Sequence, residues 1–198
     1  MSESNVRLYM SMSLDGFIAG PDDGPKSPMG TGGERLHSWL EEERGVGTRP
    51  TDPVNAQVFD EMMSTGAVIC GRHTFENAGG FDGDHHDGVP IFVLTRSVPD
   101  EPAPGHARYV SDVAAAVRDA KAAAGDRDVM LHGASATQAL LKAGLLDQME
   151  LHLVPVLLGG GRRLFDGVPA EFELVRALRP AADEDPDHQV LHLTYRRR

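Results

Sequence analysis

Short apolar runs of strand type alternate with helix-patterned segments along most of this chain, and in the final third strands follow one another with no long helix between them. That order constrains the fold more than any single motif does. A strand–helix–strand unit sets its strands parallel, whereas strands joined directly pair antiparallel. The expectation is therefore an α/β fold with a mainly parallel central sheet and antiparallel C-terminal edge strands. "VRLYMSMS", Val6–Ser13, reads as the first strand and ends at the turn signal Asp15-Gly16. "AVIC" from Ala67, "PIFVLT" from Pro90 to Thr95, and "DVMLHG" continue the series. "PIFVLT" is apolar throughout, as a parallel strand covered on both faces should be.

Helix signals lie between these runs. In "TDPVNAQVFDEMMSTG" Asp52 is placed to cap and Pro53 fits the first turn. Val54, Val58 and Met62 repeat at helical spacing, and Gly66 ends the segment. "SDVAAAVRDAKAAAG" has Ser111 as cap and Gly125 as stop, and "SATQALLKAG" has Ser135 as a natural cap. A short helix is expected around Glu34 to Arg44 with Leu36, Trp39 and Leu40 on one side, and a helix or loop from Arg72. Gly20 to Gly33, rich in Gly, Pro and Asp, suits a long mobile loop. "QMELHLVPVLL", "EFELVRAL" and "HQVLHLTYR" are the strands of the final third, and "LVPVLL" is long for an edge, so pairing across a homodimer is expected there. No repeat or linker interrupts the series, so residues 1–198 are expected to form one domain.

The net charge of −11 opposes binding to nucleic acid or an anionic membrane, while a local basic pocket remains compatible with it. The lone cysteine, Cys70, cannot form an intramolecular disulfide and is expected in the core. No apolar stretch approaches a membrane span, and "MSESNVRLYMSMS" lacks the pattern of a signal peptide, so a cytoplasmic location is the expectation.

Loops leaving the carboxyl ends of parallel strands converge on a crevice, where ligands bind. Four such loops carry donors: "SLDGFIAGPDDG", "GRHTFEN", Thr95-Arg96-Ser97 and "HGASATQALL". In the last, Gly133 and Ala134 lead into a helix amino terminus, an anion site by its free amides and dipole. Arg72, His73, Thr95 and Arg96 add donors nearby, and several clusters on separate loops suit a dinucleotide with a pyrophosphate at the helix end.

"SLDGFIAG", "GRHTFE", "VLTR" and "HGASATQALLKAGLLDQMELHLVPVLLGGGRRLF" together resemble the dihydrofolate reductase-like superfamily. Within it the chain is similar to the riboflavin-biosynthesis reductase branch, the C-terminal domain of the bifunctional deaminase-reductase and its single-domain relatives. The resemblance implies a three-layer fold, NADPH in the sheet crevice and hydride transfer to a pteridine-, pyrimidine- or flavin-related heterocycle. By the same resemblance, Gly71, Arg72, His73 and Thr74 would hold the pyrophosphate and the 2′-phosphate side. Thr95 and Arg96 would flank the 2′-phosphate, and Gly133, Ala134, Ser135, Ala136 and Thr137 would wrap the pyrophosphate. Ser11 and Ile18 fall where backbone groups meet the nicotinamide, and Asp15 and Gly16 would shape a lid. Arginines beside a 2′-phosphate favour NADPH over NADH.

Two departures stand out. His132-Gly133 replaces the usual pair of glycines, and no counterpart of the buried carboxylate of dihydrofolate reductases is evident. Asp15, His37, Trp39 and Glu42 are the candidates for catalytic roles, with Trp39 either stacking on a flat ring or filling the core. No metal site is expected: His85 and His86 sit in an acidic loop, "FDGDHHDG", without ligand spacing, at what should be the far end of the sheet. His152 and His192 alternate with apolar residues, as on a polar sheet face or an interface. Gly159-Gly160-Gly161 reads as a tight turn. A nucleotide-binding protein without turnover is the alternative function.

Overall fold

The computed structural model describes residues 4–41, 47–101, 103–180 and 189–198. Among them the elements run β1 (Val6–Ser13), β2 (Phe17–Ala19), α1 (Pro53–Met63), β3 (Ala67–Gly71), α2 (Arg72–Asn77), β4 (Ile91–Leu94), β5 (Ala107–Val110) and α3 (Val113–Ala124). They continue as β6 (Val129–His132), α4 (Ala134–Ala143), β7 (Gln148–Val154), β8 (Arg162–Arg163), β9 (Phe172–Leu178) and β10 (Leu191–Arg197). Single 3-10 segments lie at Gly33–Leu40 and Gly79–Gly83.

Eight strands form one sheet in the order β5-β4-β3-β6-β1-β7-β10-β9. The pairs from β5 to β7 are parallel, and β10 pairs antiparallel with both β7 and β9. Alternation along the strands separates two cores. Val6, Leu8, Ile69, Phe92 and Leu131 face α3 and α4 through Val117, Ala120 and Leu140. Tyr9, Val68, Cys70, Ile91, Val93 and Met130 face the other way, under Phe75 of α2 and Met62 of α1. Leu36 and Trp39 of the first 3-10 segment extend that second layer over Val154, with Val58 of α1. The result is three layers.

α1 begins as its sequence signals, with the Asp52 carboxylate accepting from the Val54 and Asn55 amides, and it ends two residues before Thr65. Two caps differ from expectation. Asp112, not Ser111, caps α3 by accepting from Ala115 N at 2.6 Å. The cap of α4 lies two residues earlier than expected, so Ser135 is inside the helix and Gly133, at φ +85°, takes the cap position. That conformation favours glycine over a side chain.

β5 was not expected; it is four residues long and follows a Pro-rich approach, which hides so short an alternation. β7 is not an edge: it stops before Pro155 and lies between β1 and β10, parallel to the first. The open edge on that side is β9, where Leu174 and Val175 are exposed. "FIA" and "RR" also pair, as the two-stranded ribbon β2–β8. The expected helix at Glu34 to Arg44 is a 3-10 segment that ends at Glu41 with φ 53°; residues 42–46 lie outside the described residues. The Gly20–Gly33 loop is closed on itself by Gly20 N to Met29 O, Thr31 N to Pro21 O, and reciprocal Gly24–Ser27 bonds. Gly159–Gly161 bend the chain without closing a hydrogen-bonded turn: Gly161 has φ +116°, and a Cβ there would meet the Ala19 carbonyl at 2.1 Å.

Candidate active site

The carboxyl ends of β3 and β6 meet through two reciprocal close approaches. A Cβ on Gly71 would lie 2.5 Å from Ser135 Oγ, and one on Gly133 would lie 2.1 Å from Thr74 Oγ1. Each turn therefore receives a hydroxyl of the other, which locks the start of α2 against the start of α4. The His132–Gly133 peptide is trans. Gly133 N donates to Met10 Sδ at 3.3 Å, and Gly133 O accepts from Thr137 N and Oγ1. No side chain caps α4. Of Gly133–Thr137 only Ser135 is exposed, so Ala134, Ala136 and Thr137 have backbone alone to offer a ligand.

Arg72 donates to Glu76 Oε1 at 2.6 Å and reaches the Ser97 carbonyl at 3.4 Å, while Thr95 Oγ1 donates to the same carbonyl at 3.0 Å. The β3–α2 and β4 loops are thus brought together. Arg96 is exposed and has no polar partner among the described residues. His73 faces elsewhere: its Nε2 lies 2.7 Å from Asp23 Oδ2 and 2.7 Å from an Nη2 of Arg162. Arg162, in "GGGRRLF", carries no signal of its own in the sequence; the pairing of β2 with β8 brings it to α2.

On the adjoining sheet face β1, β7 and β10 carry Ser11, His152 and His192 in one row. Trp39, 1% exposed, covers them: its Nε1 donates to Ser11 Oγ at 2.9 Å and its ring lies 4.7 Å from His152 and 4.9 Å from His192. Trp39 fills the core in this structure and presents no open face for stacking. Ser11 and Ile18 are both buried, with Ile18 packed in the α3–α4 core.

The histidine pair has a readable polarity. Asn55 Nδ2 donates to the Trp39 carbonyl, so Asn55 Oδ1 accepts from His192 Nε2 at 2.9 Å. In a neutral ring His192 Nδ1 is then bare and accepts from His152 Nδ1 at 2.9 Å. His152 Nε2 is left as a buried acceptor without a donor among the described residues. Burial, with Arg176 nearby, lowers the His192 pKa to about 4, and burial beside His192 pushes that of His152 well below its usual value. His37 is half-buried and an electrostatic neighbour of both His132 and His152.

His85 and His86 are not solvated: His86 is buried, at the far end of the sheet as expected, but His85 reaches across to the carboxyl end of β6. His85 Nε2 lies 3.1 Å from His132 Nε2, at the carboxyl end of β6, with the rings stacked at 5.1 Å, and its Nδ1 lies 2.8 Å from His86 Nδ1. His86, 6% exposed, rests on Thr65. Burial and the neighbouring rings lower His85 to about 2, and burial lowers His132 to about 4.

Asp15 accepts from Ser13 Oγ at 2.6 Å, Gly159 N at 2.7 Å and Leu158 N at 3.1 Å, and the Ser13 bond above all holds its pKa down. It fastens the first loop to the glycine bend and is an acceptor, not a proton source. Glu42 lies outside the described residues. Burial alone raises the Cys70 thiol to about 12, which makes it inert. A depression of about 460 Å³ lined by Arg7, Glu61, Thr65 and Asp128 sits at the amino ends of β1 and β6, opposite the converging loops.

The model of the RibD C-terminal domain matches residues 82–180, which is half of the 198-residue chain. The chain belongs to the RibD C-terminal domain family. The match places the chain in an oxidoreductase family, and the chain has a reductase-like fold. Among solved structures it is similar to a provisionally assigned riboflavin biosynthesis protein from Shewanella sp. PV-4, at 22% identity and TM-score 0.68, over 98% of this chain and 99% of the other. It is also similar to dihydrofolate reductase from Enterococcus faecalis complexed with NADP(H) and RAB-propyl, at 16% identity and TM-score 0.62, over 98% and 97%. No curated protein sequence matches significantly. No helix among the described residues is long and apolar enough to cross a membrane.

Proposed function

We propose that this RibD C-terminal domain, as a single reductase domain over 1–198, uses NADPH to reduce a pteridine-, pyrimidine- or flavin-related heterocycle. The observation that carries the reading is the convergence at the strand ends of an uncapped α4 amino terminus with Arg72, Thr95 and the unpartnered Arg96. These residues fit a nucleotide with a 2′-phosphate: α4 amides suit a pyrophosphate, and Arg96 suits a terminal phosphate. Arg72 is already engaged by Glu76, so Arg96 is the stronger partner for that group. NADPH would supply the hydride. The chain's own part is to bind and orient both ligands between the four loops, and to exclude water with the ribbon and first loop. Asp15 is ionised and Trp39 is enclosed, so of the four candidates His37 and Glu42 are left, along with solvent, as the source of the proton.

The absence of a carboxylic acid donor among the described site residues favours one second reading, nucleotide binding without turnover. Titration of nicotinamide fluorescence with NADPH and NADH tests the cofactor. Arg96→Ala is expected to weaken NADPH about tenfold while leaving NADH nearly unchanged. Equal weakening of both would remove the 2′-phosphate assignment. Oxidation of NADPH with any pyrimidine or pteridine acceptor would rule out the second reading. A homodimer would use the open β9 edge with Leu174 and Val175, and light scattering of the wild type against Leu174→Lys checks it.

A further inference from the structure

Asp23 projects from the self-closed 20–31 loop into a nest of donors drawn from two other elements. Arg162 of β8 donates from Nε to Oδ2 at 2.8 Å and from Nη2 to Oδ1 at 2.9 Å, a two-pronged grip. His73 Nε2 lies 2.7 Å from Oδ2, and Asn77 Nδ2 approaches it at 3.4 Å. Burial raises the Asp23 pKa, but the bonds from Arg162 and His73 outweigh it and hold the carboxyl ionised. The Asp23 side chain is only 13% exposed, whereas Arg162 and His73 keep 34% and 41% open to solvent. The donors face outward around a carboxylate that comes from a different loop.

The contacts of His73 can be satisfied in two settings. Its Nε2 also lies 2.7 Å from Arg162 Nη2 and 3.0 Å from Asn77 Nδ2, both donors. A ring nitrogen that donates to Asp23 cannot accept from Arg162 or Asn77 at the same time. With Asp23 in place the ring proton goes to the carboxylate. With Asp23 withdrawn, the unprotonated nitrogen is satisfied by the other two. Neither setting strands a group, as a two-state element requires.

We propose that Arg162, His73 and Asn77 form an anion-binding site between α2 and the β2–β8 ribbon, and that Asp23 is its internal occupant, displaced when an anionic group of the ligand, a phosphate or carboxylate, enters. Bidentate geometry at Arg162 suits either group. Asp23 then works as an autoinhibitory contact: the ligand's apparent affinity is reduced by the fraction of molecules in which the nest is already filled. Displacement also frees the 20–31 loop, which is hydrogen-bonded to itself and so can move as a unit. The identification of the ligand's anion with one carried by NADPH or its heterocyclic partner rests on the proposed reductase reading; the nest does not.

The experiment uses inorganic phosphate as probe, titrated by calorimetry into the full chain. Asp23→Asn keeps the side chain's shape and removes the competing charge, and is expected to tighten phosphate by about tenfold or more. Adding Arg162→Ala in that background should abolish the gain. Phosphate affinity that is unchanged or weakened in Asp23→Asn would overturn the proposal and make Asp23 a structural brace, and so would a gain that survives Arg162→Ala. NADPH titrations on the same samples separate the two ideas. Tighter phosphate with no NADPH binding keeps the nest and sinks the cofactor reading, whereas NADPH binding with phosphate affinity unmoved does the reverse.

Discussion

Where β3 and β6 end, the crevice is built from backbone and small side chains, with Gly71 receiving Ser135 and Gly133 receiving Thr74. Where β7 and β10 run beneath Trp39 it is built from buried polar side chains: His152 against His192, and Glu150 bonded to Arg7, Thr194 and Arg176. The first wall has no room for an added atom; the second pairs most of its polar groups with one another and leaves His152 Nε2 over. Because its close contacts are steric, the first wall can leave charged donors at the surface for a ligand. The second uses its polar groups on one another, so it contributes shape and an enclosed, low-dielectric surface.

Acid should break this symmetry most. His132 and His192, held near pH 4 when folded, have ordinary values when unfolded, so the unfolded chain takes up protons first. Their contribution is complete above about pH 6.5 and is lost as pH falls toward 4, by roughly 3 kcal/mol per ring in the limit. Urea midpoints at pH 7 and pH 4.5 measure it, and the sole tryptophan, Trp39, reports directly on the second wall by fluorescence. A midpoint that stays level across that range would mean these rings are not buried as neutral groups.

Next in size is Glu150→Ala. The carboxylate is 1% exposed and faces two arginines, so its removal leaves buried positive charge and is expected to cost about 3 kcal/mol or more. An urea midpoint close to wild type would show that water replaces it freely. The smaller test concerns the first wall. Gly71→Ala, at an ordinary φ of −79°, strains only against Ser135 Oγ and should lose about 1–2 kcal/mol. Adding Ser135→Ala should restore most of the loss, since the next atoms lie 3.7 Å and beyond. Additive effects in the double variant would put the strain elsewhere.

The architecture was largely legible because strands with parallel neighbours and helices with explicit caps announce themselves locally: Val6–Ser13 and the Asp52-Pro53 start appear where their residues say. Less legible was whatever depends on which strands become neighbours. "LVPVLL" looks like an edge until β1 is found beside it, and β5 and the β2–β8 ribbon are too short for periodicity to mark. At the candidate site the glycines, Arg72, Thr95 and Arg96 could be placed by strand order alone. Arg162 could not, since an arginine after three glycines gains meaning only from the ribbon that carries it to His73. His85 misled for a similar reason: acidic neighbours suggested solvent, but a stack on His132 is a tertiary event.

The central strand has one more consequence, for the order in which the chain can assemble. β1 is made first, yet its neighbours β6 and β7 begin more than a hundred residues later, with Val6 opposite Val129 and Arg7 opposite Gln148. During synthesis, at about 5–20 residues per second, β1 must wait for both partners. Its apolar Val6 and Leu8 stay uncovered meanwhile, and loop closure over such separations slows the search. A nascent chain released before β7 would have the first strand of its sheet and nothing to lay beside one of its edges.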